Sequence, residues 1–189
     1  MNVKGPFVYD TRELGRRPGS MREHSLDLPA PGGWEFGLVK VPAGASVGLE
    51  VRYESVMDGV LVTASAEVPI AAECGRCLDP IETTVSVPIQ ELFGYERDPE
   101  DPDAPVLDGD LLDLEPVVRD AVVLALPLNP LCDPDCEGLC ATCGARLADV
   151  EPDHEHDDVD PRWAALALLK DSNTSDSADL RAQRDPEEK

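Results

Sequence analysis

Residues 46–54 alternate strictly: Val47, Leu49, Val51 and Tyr53 are apolar, and Ser46, Gly48, Glu50, Arg52 and Glu54 between them are polar or small. A repeat of two sends successive side chains to opposite faces, so this stretch is predicted to be a half-buried strand. Asp58-Gly59 then gives a tight-turn signal. A second apolar face follows at Val60, Val62, Ala64, Ala66, Val68 and Ile70, and a third at Ile81, Thr83, Val85, Val87 and Ile89. Three consecutive strands joined by short turns predict an antiparallel meander. Pro69 and Pro88 each remove a ladder donor, so they are expected where the ladder is open. Residues 34–41 are a candidate first strand.

The period changes over residues 111–126, where Leu114, Val117, Val118, Ala121 and Leu124 or Ala125 share one helical face. Pro116 suits the first turn, whose N–H groups have no partner in the helix, and Pro127 and Pro130 stop it. The acidic, proline-bearing segment 94–110 reads as a loop. A second, shorter helix is predicted after Asp160 and Pro161, carrying Trp163, Leu166 and Leu169 and fading near Lys170. Residues 171–189 have little to bury and are expected to be disordered. The fold class is therefore α+β: an antiparallel meander, one long packing helix and a C-terminal Cys/His segment. The expected divisions are a basic N-terminal arm at 1–30, a core at 31–128, a metal-binding segment with its short helix at 129–170, and the tail.

Charge narrows the function. The 189 residues carry 16 Lys+Arg against 39 Asp+Glu, a formal net charge of -23. Affinity for nucleic acid comes largely from Lys and Arg neutralising phosphates, so this surface is handicapped as an RNA or DNA coat. A basic protein partner suits it better. The one basic cluster is Arg12, Arg16, Arg17 and Arg22, with Lys4 nearby. No apolar run reaches the roughly 18–20 residues of a membrane span, and the start lacks a signal-peptide core. A cytoplasmic location is expected.

The six cysteines fall into three pairs: Cys74 with Cys77, Cys132 with Cys136, and Cys140 with Cys143. His154 and His156 follow. In a reducing compartment, paired cysteines are more often metal ligands or redox groups than structural disulfides. Eight soft or borderline ligands suffice for two tetrahedral zinc sites. A thiol–disulfide centre would want its C-x-x-C at a helix N-terminus, and neither C-x-x-C here opens a helix. Three sharings are open. The favoured one joins Cys74 and Cys77 to Cys132 and Cys136, and Cys140 and Cys143 to His154 and His156. Another puts both C-x-x-C knuckles on one ion, and a third uses only Cys132, Cys136, Cys140 and Cys143. The two histidines also fit a plain solvated acidic loop. His154-Glu155-His156-Asp157-Asp158 partly matches the metal pattern of metallo-β-lactamase-like hydrolases, but Val159 stands where a further histidine belongs. No phosphate-binding loop and no Ser/His/Asp set is present.

Several motifs together resemble the YceD family in its actinobacterial branch. They are Glu73-Cys-Gly-Arg-Cys-Leu-Asp-Pro80, Glu91-Leu-Phe93, Asp113-Leu-Glu-Pro116, Leu126-Pro-Leu128, the run from Leu131 to Gly144, and Asp160-Pro-Arg-Trp-Ala-Ala-Leu166. The resemblance spans roughly residues 7–170. Many members carry C-x-C where this chain has His154-Glu155-His156, a change that keeps zinc-ligating chemistry, and some lack the later cysteines. What the resemblance implies is a role in accumulation of large-subunit ribosomal RNA, hence ribosome biogenesis, and an association with a small protein of the large subunit.

These readings combine into a zinc-stabilised, non-enzymatic factor that contacts a basic ribosomal protein or pre-ribosomal particle. The acidic stretches 94–115 and 149–160 would stand in for phosphate, although a charge run is more often just a solvated face. One alternative is RNA binding through Arg12, Arg16, Arg17 and Arg22. Another is a metal-dependent ribonuclease using His154 and His156. No small-molecule substrate is expected.

Overall fold

The computed structural model describes residues 5–97, 99–156 and Arg162. The chain divides into two compact units, Met1–Gly138 and Leu139–Lys189. The predicted second helix and the C-terminal tail lie outside the described residues, apart from Arg162.

The first unit runs β1 (Val8–Asp10), β2 (Met21–Pro29), β3 (Glu35–Phe36), β4 (Val39–Lys40), β5 (Ser46–Ser55), β6 (Gly59–Glu73), β7 (Pro80–Gly94), β8 (Leu111–Asp113) and α1 (Glu115–Ala125). It is α+β, with antiparallel pairing between its strands. β5, β6 and β7 form the expected meander, with Leu49 opposite Ala66 and Ala66 opposite Val87. β2 extends the sheet beyond β5. The β3–β4 hairpin pairs with β6 at Ala71 and Ala72, past the end of β5. β1 pairs with β8 in a separate ribbon.

The period-two pattern becomes the core. Val47, Leu49, Val51 and Tyr53 of β5 are buried, as are Val60, Val62, Ala64, Ala66, Val68 and Ile70 of β6. Each large apolar side chain removed from water contributes about 1.5–3 kcal/mol before entropy is charged against it. Leu114, Val118, Val122 and Leu126, four residues apart, carry α1 into the same core. Both prolines sit where a donor is dispensable. Pro69 falls between Glu67, where β6 leaves β5, and Ala71, where it meets β4. Pro88 lies on β7, whose partner strand among the described residues is β6.

Four expectations change. Residues 5–30, read as part of a basic arm, enter the fold: Phe7 and Leu14 are buried, and Met21–Pro29 is a strand. His24, Leu26 and Leu28 do alternate with Glu23, Ser25 and Asp27, but the inward side chains are only half-buried on an edge strand. Residues 34–41 are a hairpin instead of one strand, because Gly37 at φ 60 turns the chain between β3 and β4. Leu111–Asp113 is claimed by β1, so the helix starts at Glu115 and spans 11 residues. Leu124 is 87% exposed, and Val122 takes its place on the buried face.

Gly59 opens β6 with no room for a side chain, since a Cβ there would lie 2.1 Å from the Phe93 carbonyl oxygen. Gly59→Ala is expected to destabilise the fold by about 1–3 kcal/mol, read by chemical denaturation. No helix among the described residues is long and apolar enough to cross a membrane.

Candidate metal centres

The first cluster forms at the turn between β6 and β7. The Cys74 N–H donates to the Asp79 carbonyl at 2.8 Å, and the Leu78 N–H donates to the Cys74 carbonyl at 2.9 Å. Leu78 adopts φ 63, a left-handed conformation that costs a non-glycine residue roughly 1–2 kcal/mol. The tightened loop points the Arg76 N–H at Cys74 Sγ, 3.5 Å away. The segment after α1 then wraps this knuckle. The Gly75 N–H donates to the Pro130 carbonyl at 2.8 Å. A Cβ on Gly75 would lie 2.3 Å from Asn129 Oδ1, so glycine permits the close approach. The Arg76 guanidinium donates to the Cys136 carbonyl at 2.7 Å.

This wrapping delivers Cys132 and Cys136 to Cys74 and Cys77, with all four sulfurs within 4.8 Å of one another. The Cys77–Cys132 and Cys74–Cys136 sulfur separations are 3.5 and 3.8 Å. A tetrahedral ion with Zn–S bonds of about 2.3 Å would set neighbouring sulfurs about 3.8 Å apart. Cys74 and Cys77 are buried, while Cys132 is exposed. The Cys74 thiol is lowered to about 5, chiefly by the backbone N–H of Cys77 and then that of Cys132. The Cys77 thiol is pushed up to about 12, first by burial and then by its hydrogen bond with Cys132. Four thiols this close resist ionising together, and a divalent cation is the charge that would let them.

The second cluster lies within the Leu139–Lys189 unit and repeats the same knuckle. The Cys140 N–H donates to the Ala145 carbonyl at 2.7 Å, and the Gly144 N–H donates to the Cys140 carbonyl at 2.8 Å. Gly144 takes the left-handed position at φ 72 that Leu78 fills in the first knuckle. The His154 N–H donates to the Glu151 carbonyl at 3.0 Å, turning the chain back. Cys143 Sγ is then 3.4 Å from His154 Nε2, and the two histidine Nε2 atoms are 3.0 Å apart. Cys140, Cys143, His154 and His156 all present ligand atoms within 4.8 Å of one another. The Cys140 thiol is lowered to about 6, mainly by the backbone N–H of Cys143 and then that of Thr142. Both clusters offer zinc-type ligands in fours.

The N-terminal arginines are not gathered in this way. Arg12 is bound to the Asp10 carboxylate, holding that acid down at about 2. Arg16 reaches Asp110 at 3.4 Å and lies over the Tyr95 ring, 4.9 Å from its centroid. Arg22 donates to the Met21 carbonyl at 2.8 Å, and Arg17 is exposed. His24 is no part of either cluster; it sits beside Tyr53 and Tyr9, whose rings stack at 3.9 Å. The sequence reading passed over Gly75, Arg76 and Asn129, although the first two lie inside Cys74-Gly-Arg-Cys77.

The profile of the YceD family, described as "Large ribosomal RNA subunit accumulation protein YceD", matches residues 62–170. The chain belongs to the YceD family. That match covers most of β6, all of β7 and α1, and every cysteine and histidine of both clusters. A protein of Mycobacterium tuberculosis is 43% identical over 174 residues, covering 89% of this chain and 83% of the relative. One of Mycobacterium leprae is 41% identical over 167 residues, covering 85% and 76%. A short stretch of 36 residues is 44% identical to the maize "Large ribosomal RNA subunit accumulation protein YCED homolog 1, chloroplastic", covering 19% of this chain and 12% of that protein. No solved structure matches the chain. The family's description names an accumulation factor, not an enzyme, and supports a role in ribosome biogenesis.

Proposed function

We propose that this protein is a zinc-stabilised, non-enzymatic factor for large-subunit ribosomal RNA accumulation that works by contacting a basic ribosomal protein or an assembly particle. Membership of the YceD family carries the biological role. The two four-ligand clusters support zinc as a structural element. Four protein ligands fill a tetrahedron and leave no open position for a substrate or an activated water, so the same geometry weighs against a ribonuclease. The net charge of -23 favours a basic protein over bare RNA as the first contact.

The alternative, an RNA grip by Arg12, Arg16, Arg17 and Arg22, has less in its favour. Arg12 and Arg16 are already engaged with Asp10 and Asp110. The basic-partner reading is tested by capturing purified basic proteins of the large subunit on the immobilised chain at low and high salt. Capture at low salt and release near 1 M salt are expected, because the Debye length shrinks to about 3 Å there. Capture indifferent to ionic strength refutes the acidic contact.

A further inference from the structure

Among the described residues, β7 leaves most of one edge unpaired, and its hydrogen-bond phase can be read from both ends of the β6–β7 ladder. Cys74 bonds Asp79 at one end and Tyr95 bonds Asp58 at the other, both in the register that pairs Val68 with Val85. Antiparallel pairs alternate between bonded and unbonded, so the odd-numbered residues of β7 bond to β6 and the even-numbered ones turn their backbone outward. Three other features keep the same phase. Pro80 and Pro88 both fall at outward positions, and Gly94, also outward, bonds the loop at Pro105 and Leu107. Between those limits, no described residue bonds the outward backbone of Glu82, Thr84 or Ser86. All three are exposed, and they form a short open edge that Pro88 terminates.

The surroundings select the occupant. The 30 residues of β6 and β7 contain Glu67, Glu73, Glu82 and Glu91 and no lysine or arginine. On the solvent face, Glu82, Thr84 and Ser86 stand with Glu67, which is opposite Ser86. On the other face, Ile81 and Val85 are half-buried. A second copy of this chain would bring another net -23 to the same acidic edge. An extended segment alternating basic and β-branched residues fits both faces.

We infer that the outward edge of β7 from Glu82 to Ser86 is a docking site at which a lysine- or arginine-rich extended segment of a partner protein adds as a further strand. Backbone bonds to Glu82, Thr84 and Ser86 would hold it, while its basic side chains meet the glutamates. This deepens, and rests on, the proposed contact with a basic partner.

The test uses the full, metal-loaded chain and a short fluorescent peptide of alternating lysine and valine, followed by anisotropy at low salt. Three partners are compared: the plain peptide, the same peptide N-methylated at alternate amides, and the Thr84→Pro protein with Thr84→Val as its control. The Thr84 N–H does not serve the β6 ladder, so proline there removes an edge donor and spares that pairing. Methylation and Thr84→Pro are each expected to weaken binding about tenfold, the loss of one or two backbone bonds, with Thr84→Val near wild type. Slowed amide exchange at Glu82, Thr84 and Ser86 is expected with the plain peptide. Equal, salt-sensitive binding of the plain and methylated peptides overturns the edge site and leaves the basic-partner reading standing. Dimerisation of the chain through β7 also overturns the edge site. No binding of either peptide at low salt overturns both readings.

Discussion

Cys77→Ser is expected to remove one of two bound ions and to lower the melting temperature by about 10 °C or more, since ion binding at a structural site is folding free energy. Serine keeps its proton at neutral pH and is a poor zinc ligand. The remaining thiols, Cys74, Cys132 and Cys136, would then lack a fourth partner at the point where residues 129–138 fold back on the β6–β7 turn. Cys143→Ser is expected to remove the other ion with a smaller thermal shift. Its cluster belongs to the Leu139–Lys189 unit, contains the exposed residues Cys143 and His156, and contributes no residue to the hydrophobic core. Metal analysis alongside circular-dichroism melts reads both changes. Unchanged metal content in Cys77→Ser would contradict the four-thiolate centre.

Trp34→Ala is expected to cost about 3–5 kcal/mol, as for other large buried aromatics cut to alanine. Trp34 is 1% exposed and packs at 5.9 Å against Phe7. Its indole N–H reaches Glu115 in the first turn of α1 at 3.4 Å, and its carbonyl accepts from the Val41 N–H at 2.8 Å. The side chain therefore links the N-terminal segment to the helix, while the backbone carbonyl, which alanine keeps, closes the β3–β4 hairpin. Trp34 contributes no ligand to either cluster, so the variant should keep its metal content while its urea midpoint falls. A stable Trp34→Ala protein would mean that the N-terminal segment packs more loosely than described.

The strands that carry the core were legible because nearly every inward position of β5 and β6 is fully buried, and selection for apolar residues there leaves an uninterrupted repeat of two. β2 was not, because its inward residues His24, Leu26 and Leu28 are partly solvated and one of them is polar, which weakens the alternation. The helix face was misread at one position. Leu124 is apolar yet exposed, a frequent outcome on a surface that polar groups alone cannot cover. The two knuckles could be read from spacing, since C-x-x-C converges its sulfurs by local backbone bonds. Which pair meets which could not. That grouping depends on Pro130, Asn129 and Arg76 bringing the segment after α1 back to the turn, a contact across more than 50 residues that no local pattern records.

Metal stoichiometry by native mass spectrometry tests the two-centre architecture most directly. Two ions of zinc mass per chain are expected, the second set being lost first on titration with a chelator because its ligands are the more exposed. A chain that binds a single ion, or none, with all six thiols reduced would contradict it.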